Sequence, residues 1–432
     1  MAVQTERIPA RRRRPGDRLA VLGEREFRWF FLGYATSLVG SSMAPVAVAF
    51  AVLDGGGGSG GGSTGSTGSG TDLGWVMAAR ILPVVLVLLA GGVIADRLGS
   101  RRVMLGSDLL RGLVQALFAG LLVAGHAPVW AMVALVAVWG IGEGLFMPAF
   151  GAIVPDLVRR RELMADANTL LGLARSVSTV VGPAVAGLVT AGWGPAAVLL
   201  ADAVTYGVGA FALARLRLPE RAAADGESVI RDVRAGWSEF VSRPWLWITT
   251  AQMGLFNLLV WAPFLVLGPL LAQRDLGGAR AWGLVMGGYG AGAVLGGLLM
   301  LGWAPARPLA VASVAALAWA LPSGALAAGA GLPWVAVGAL VAGVGSAVCG
   351  TLYNTTTQKW VPVELLGRMT AFGVLGSFAL GPLGLAAAGP LADRFGAGAV
   401  LLLGAVWQLV AGVVVLTVPA VRNRRWEEGP DS

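Results

Sequence analysis

Twelve runs of roughly 20 mostly apolar residues follow one another through the 432-residue chain, each long enough to cross the hydrocarbon core of a bilayer as a helix. Inside lipid the backbone finds no water, so a spanning segment must satisfy its own N–H and C=O groups, which an α-helix does. The runs lie at 28–53, 73–95, 105–125, 128–154, 169–191 and 194–215, then at 246–273, 282–304, 306–329, 332–357, 369–388 and 397–419. They predict an all-α membrane protein with twelve transmembrane helices in two pseudo-symmetric six-helix halves. The halves would cover 28–215 and 246–419, with a basic segment 1–27 before them, a polar loop 216–245 between them and a tail 420–432 after them.

Only 13% of the residues are charged and mean hydropathy is +0.73, whereas a soluble domain carries about 25% charged residues. A net charge of +8 would suit a nucleic-acid binder if the basic groups shared one folded face. They sit instead in short loops between apolar runs, so the expected partner is the lipid bilayer and not nucleic acid. The single cysteine, Cys349, lies within an apolar run and leaves no internal disulfide to form. Arg11 to Arg14 precede the first run as they would in a secretory signal, but the run lacks a small-residue cleavage pattern and reads as a retained span.

Alternate loops differ sharply in charge: 26 Lys and Arg lie on the side of the N-terminus and three, Arg274, Arg280 and Arg394, on the other. Cytoplasmic loops retain basic residues, so both termini are expected in the cytoplasm and the chain in the inner (cytoplasmic) cell membrane. Trp75, Trp130, Trp193, Trp282 and Trp334 fall at the predicted outer ends of even-numbered spans, where indole favours the interface.

The stretch Gly55 to Gly70 falls in the first outer loop and is too poor in apolar groups to offset ordering entropy, so a flexible coil is expected. It holds G-x-S-x-G twice, a pattern that means a hydrolase only on a strand–turn–helix elbow with an acid and a histidine in place. The one histidine, His126, lies in another outer loop. With no P-loop, no metal-ligand cluster and no acid–base–nucleophile set, neither enzyme activity, a metal nor a cofactor is expected.

The two halves repeat each other. VPDLVRRREL, from Val154, leads into a span carrying Gly182-Pro183, and VPVELLGRMT, from Val361, leads into one carrying Gly381-Pro382, at offsets of 207 and 199 residues. Gly91-Gly92 ahead of Arg101-Arg102 has a fainter counterpart in Gly296-Gly297 ahead of Arg307. Two related six-span halves facing each other across a central cavity account for this repetition.

Gly92-Val93-Ile94-Ala95-Asp96-Arg97-Leu98-Gly99-Ser100-Arg101-Arg102 is similar to the signature G-x-x-x-D-R-x-G-R-[RK] of the major facilitator superfamily, with Ser100 where an arginine is commoner. The resemblance extends from about Phe27 to Pro419. Within it, SDLLRGLVQALF from Ser107 and GPAVAGLV from Gly182 resemble the twelve-span drug/proton antiporter branch that includes macrolide-efflux and enterobactin-exporter-like proteins. In the signature loop, Gly99 permits a tight turn. Asp96 is placed to meet the N-terminus of the eleventh span, whose dipole attracts an anion, and Arg97, Arg101 and Arg102 are placed to pair with nearby acids. The loop would thereby latch one arrangement of the halves. LADRFG, Leu391 to Gly396, mimics the signature on the opposite side and reads as a turn beside Gly389-Pro390.

Ionisable groups at membrane depth are costly and so face a cavity or a partner. Glu143, in WGIGEGLF of the fourth span, lies near the bilayer centre and is the first candidate for carrying a proton. Asp108 and Arg111 are spaced to pair on one face of the third span. Arg175, in the fifth, would reach Glu143 or an anionic part of the cargo, while Arg80 and Asp202 read as groups near the outer interface. The second half offers Asn257 and Asn354, which would bond cargo or another helix. Gly182, Pro183 and Gly187 resemble the bend motif of exporters, and Gly381 and Pro382 repeat part of it. Many proton antiporters of the superfamily carry an arginine in the fourth span where this chain has Val136, a departure that leaves Arg111 or Arg175 as substitutes.

The resemblance implies a secondary active transporter working as a monomer by alternating access, exporting a hydrophobic or amphiphilic small molecule in exchange for protons. An importer of the same fold, and a non-transporting membrane scaffold or receptor, are the alternatives.

Overall fold

The computed structural model describes residues 20–55, 69–158, 160–217 and 237–425, with the side chains of 88–93, 95, 96, 161, 363, 364, 366–368, 370 and 371 outside that description. The Gly/Ser-rich stretch, apart from its ends, and most of the loop between the halves fall outside it too.

Twelve helices have the length and apolarity to cross a membrane, and the described residues contain no strand. In the first half these are α1 (Arg25–Leu53), α2 (Gly70–Leu98), α3 (Ser100–Val123), α4 (Val129–Leu157), α5 (Met164–Trp193) and α6 (Pro195–Arg215). The second half holds α7 (Pro244–Leu276), α8 (Ala279–Leu299), α9 (Pro308–Ala327), α10 (Leu332–Trp360), α11 and α12 (Ala397–Thr417). α11 comes in two pieces, Val363–Phe378 and Gly381–Phe395. Pro382 has no N–H to give the preceding turn, which frees carbonyls there and breaks the helix. Its counterpart Pro183 lies inside an unbroken α5.

Packing within one half repeats in the other. α2 lies on α4, α1 on α5 and α3 on α6; correspondingly α8 lies on α10, α7 on α11 and α9 on α12. Lipid is as apolar as leucine, so close backbone approach over small residues holds such pairs together. Gly140 and Gly144 of α4 face the carbonyls of Arg80 and Val84 on α2, and Gly292 and Gly296 of α8 face those of Leu340 and Val344 on α10.

Across the halves, α5 packs on α8, and α2 on the second piece of α11 but not comparably on its first. We name the face where α1 begins and α12 ends proximal, and the opposite one distal. At the distal face Thr71 donates a 2.9 Å hydrogen bond to Asp393 and Gln273 a 3.4 Å bond to Asp54. One buried apolar cluster runs through both halves there, including Phe50, Phe118, Phe264 and Trp282. Toward the proximal face the core divides: Phe27, Phe30, Met104 and Ile153 form a cluster of the first half alone, and Trp245, Leu246, Trp360 and Met369 one of the second. The halves are joined distally.

Two expectations change. LADRFG is not a turn: through Phe395 it is the last part of α11, only Gly396 turns the chain, at φ +88°, and Asp393 serves the distal contact. Trp130, Trp193, Trp334 and Trp75 are exposed, but Trp282 is 3% exposed because Gly268 leaves a slot for its ring.

Candidate functional site: a buried charge network and an aromatic cavity

Helix α3 shows how charge is kept from lipid. Leu109, Leu113 and Leu117, at helical spacing, are exposed, while Ser107, Asp108, Arg111 and Gln115 turn inward. Asp108 and Arg111 form an ion pair, with side chains only 2% and 7% exposed. Glycines make the space: a Cβ at Gly209 of α6 would stand 2.8 Å from Asp108 Oδ2, and one at Gly142 of α4 would stand 2.7 Å from Arg111 Cγ. The guanidinium lies 4.3 Å from the Phe146 ring centroid and 4.5 Å from that of Tyr206, so two aromatic faces replace part of its hydration.

The Tyr206 hydroxyl accepts hydrogen bonds from Ser41 at 2.9 Å and Trp139 Nε1 at 3.0 Å, tying α1, α4 and α6 together. One turn away Asp202 is fully buried, accepting from Gln115 Nε2 at 2.9 Å and held by Thr205. Asp202 therefore belongs to the interior of the first half and not to its outer interface. Gln115, Trp139 and Tyr206 are parts of this network that sequence reasoning passed over; the only hint was their helical spacing from Arg111, Glu143 and Asp202.

Glu143 meets Arg80, not Arg175. Arg80 Nε donates to Glu143 Oε2 at 3.0 Å and Nη2 to Oε1 at 3.1 Å, a bidentate pair with side chains 20% and 28% exposed. The Arg80 guanidinium also stacks 4.2 Å from the Trp139 ring. α2 brings Arg80 to this depth because Gly140, one turn before Glu143, packs on the Arg80 backbone. Both bonds of such a pair depend on the charge of the carboxylate. Arg175 instead donates to the Tyr34 hydroxyl at 3.1 Å.

In the signature loop, Gly99 has φ +84°, a conformation that glycine adopts without strain, and it caps α3. Arg101 reaches across to the end of α6, donating to the carbonyl of Leu213 at 2.9 Å, which also accepts from Leu216 N–H at 3.2 Å, and to that of Ala214 at 2.8 Å. Arg97 is exposed, Arg102 has a partner of its own, and the side chains of Gly92 and Asp96 lie outside the described set. Gly182 packs on Ser42 of α1, and Gly187 on α8. Gly381 is buried at the break in α11.

A cavity of about 510 Å³ lies wholly among helices of the second half. Trp261, Tyr289 and Trp319 form its aromatic wall, with ring centroids 4.9–5.8 Å apart. Trp319 Nε1 is spent on Ser346 Oγ at 2.7 Å. Asn257, 3% exposed, lines the cavity and opens a π-helical turn, Asn257–Trp261, in α7. Its Nδ2 donates at 3.0 Å to Met253 O and at 3.0 Å to Ser377 O, beside the break in α11. Gln408, Gln252 and Cys349 also line the space, whereas Asn354 is exposed elsewhere on α10. No lining residue carries a formal charge. Among the described residues no group of three His, Cys, Asp or Glu is placed to hold a metal ion.

Residues 30–385 match the family model described as Major Facilitator Superfamily. The chain is 28% identical over 368 residues to the multidrug efflux pump Tap of Mycolicibacterium fortuitum, covering 82% of this chain and 89% of that protein. It is 24% identical over 404 residues to macrolide efflux protein A of Streptococcus pyogenes, covering 92% and 95%. Among solved structures, a mutant of the nucleoside transporter NupG superposes with a TM-score of 0.71 at 13% identity, over 90% of this chain and 98% of the other. A bacterial homologue of the human lysosomal transporter Spinster, in an inward-facing and unoccupied conformation, gives 0.64 at 13% identity, over 96% and 99%.

Proposed function

Because the chain belongs to the major facilitator superfamily, we propose that it exports amphiphilic small molecules in exchange for protons, as a monomer in the cytoplasmic membrane with both termini in the cytoplasm. The observation that carries this reading is the bidentate Arg80–Glu143 pair. It places a carboxylate against a guanidinium inside the first half, with both side chains partly accessible. The names of the relatives, a multidrug efflux pump and a macrolide efflux protein, support export and apolar cargo. The 26-to-3 excess of basic residues on the proximal side supports its assignment to the cytoplasm.

In the cycle we envisage, the distally closed arrangement admits cargo from the cytoplasm. Rocking of the halves about the cargo closes the proximal side and opens the distal one. Protonation of Glu143 from outside neutralises it and releases Arg80; return to the proximal-open arrangement lets the proton leave and the pair re-form. Cargo thus moves outward as a proton moves inward. Asp108–Arg111, sealed between aromatic rings, acts as the structural counterpart that keeps α3, α4 and α6 in register. The test is transport of a fluorescent hydrophobic cation by purified protein in proteoliposomes under an imposed pH gradient. Gradient-dependent uptake by wild type, with loss of the gradient dependence in Glu143→Gln, supports the reading; equal uptake with and without a gradient in wild type opposes it.

A further inference from the structure

Two amides in the second-half cavity are held by backbone carbonyls. Gln408, 1% exposed on α12, donates from Nε2 to Ala316 O at 2.7 Å. Ala316 stands immediately before the 3₁₀ turn Leu317–Trp319 of α9, where the backbone departs from α-helical bonding. Asn257 spends both Nδ2 hydrogens on Met253 O and Ser377 O. Backbone carbonyls therefore fix the orientation of both amides: Asn257 is left with its carbonyl oxygen, and Gln408 with its carbonyl oxygen and one N–H. Gln408 Oε1 is buried with no hydrogen-bond partner, a costly condition that a ligand donor would relieve. The two residues lie at similar depth, since Gly404, one turn before Gln408, packs on the Leu259 carbonyl two residues from Asn257.

The rest of the lining sorts the ligand further. Trp319 Nε1 is occupied by Ser346, and no lysine, arginine or histidine lines the space. The wall of Trp261, Tyr289 and Trp319 presents π-faces that attract a cation and pack an apolar body. A cargo carboxylate or phosphate would find hydroxyls and the Gln252 amide there, but no cationic group to offset its charge, and it would face carbonyl oxygens and ring faces that repel it.

We infer that this cavity is a recognition site for lipophilic amines, taking the apolar skeleton against Trp261 and Trp319 and the protonated N–H on the carbonyl oxygens of Gln408 and Asn257. The inference deepens the export reading by naming the cargo class, and rests on it only for calling the ligand cargo. It also separates two tasks: the charged network of the first half handles the proton, and the uncharged cavity of the second reads the donor.

The test is equilibrium binding, which needs neither a gradient nor a transport direction, so it can fail while proton-driven export stands, and the reverse. The full chain in lipid nanodiscs is titrated with three naphthylalkyl probes ending in dimethylammonium, trimethylammonium and tert-butyl groups, followed by probe anisotropy at neutral pH. These ends are alike in shape and offer a charged N–H, a charge without N–H, and neither. The expected order in wild type is dimethylammonium tighter than trimethylammonium by about tenfold or more, with tert-butyl weakest. Gln408→Met and Asn257→Leu should each abolish most of the preference for dimethylammonium over trimethylammonium and leave tert-butyl binding within about twofold. Equal binding of the two cations by wild type overturns the inference even if a variant fails to fold, and so does a preference that survives in both folded variants.

Discussion

Gly187 of α5 and Gly283 of α8 lie so close that a Cβ added to either would stand 2.8 Å from the other's Cα. This is the tightest kind of contact two helices make, and it joins the halves at the distal face. Gly187→Val puts a branched side chain where backbone now sits, so the distal seam must open. With Cys349→Ser, and spin labels at Trp193→Cys and Arg280→Cys on the exposed distal ends of α5 and α8, electron–electron resonance should report a longer distance in Gly187→Val than in its parent. An unchanged distribution would mean the seam does not govern the closed arrangement.

The Asp108–Arg111 pair should behave as a unit. Arg111→Met strands a carboxylate among apolar and aromatic groups, and removing one partner of a buried pair costs about 3–5 kcal/mol. Asp108→Asn in that background removes the stranded charge and should recover most of the loss. A thermal-unfolding double-mutant cycle in detergent checks this; additive losses would show that the two side chains are not coupled.

Arg101 closes the C-terminal end of α6 by binding two carbonyls. Arg101→Ala should destabilise by about 1–3 kcal/mol, and Arg101→Lys, lacking the two-pronged donor, should recover less than half of that. Thermal melts of the three proteins decide it. Full rescue by lysine would reduce the residue to a charge near a helix end.

The spans were legible because lipid demands long apolar runs, and the pseudo-symmetry because VPDLV, at the end of α4 ahead of α5, and VPVEL, at the start of α11, mark equivalent junctions. Pairing inside the first half was legible only where it was local. Asp108 and Arg111 sit three residues apart on one helix, so spacing brings them together. Arg80 and Glu143 are 63 residues apart, and nothing in their own spacing joins them. The trace is Gly140 and Gly144, which let α4 close on α2 and so fix where Arg80 falls. Asp202 was misplaced because depth along a helix does not say which way a residue faces. The second-half cavity was least legible: Asn257 stood out as a polar residue in a span, but its orientation depends on the break in α11, and Gln408 on the 3₁₀ turn of α9, both set by tertiary packing.

Proton-driven export through the Arg80–Glu143 pair is tested most directly in cells, by intracellular retention of fluorescent hydrophobic amines and macrolide-like compounds with and without a protonophore. Wild type should lower retention at least several-fold against cells lacking the protein, and both the protonophore and Glu143→Gln should abolish the difference while the variant remains folded in the membrane. Undiminished efflux by Glu143→Gln, still sensitive to the protonophore, would contradict the assignment of the proton to this pair.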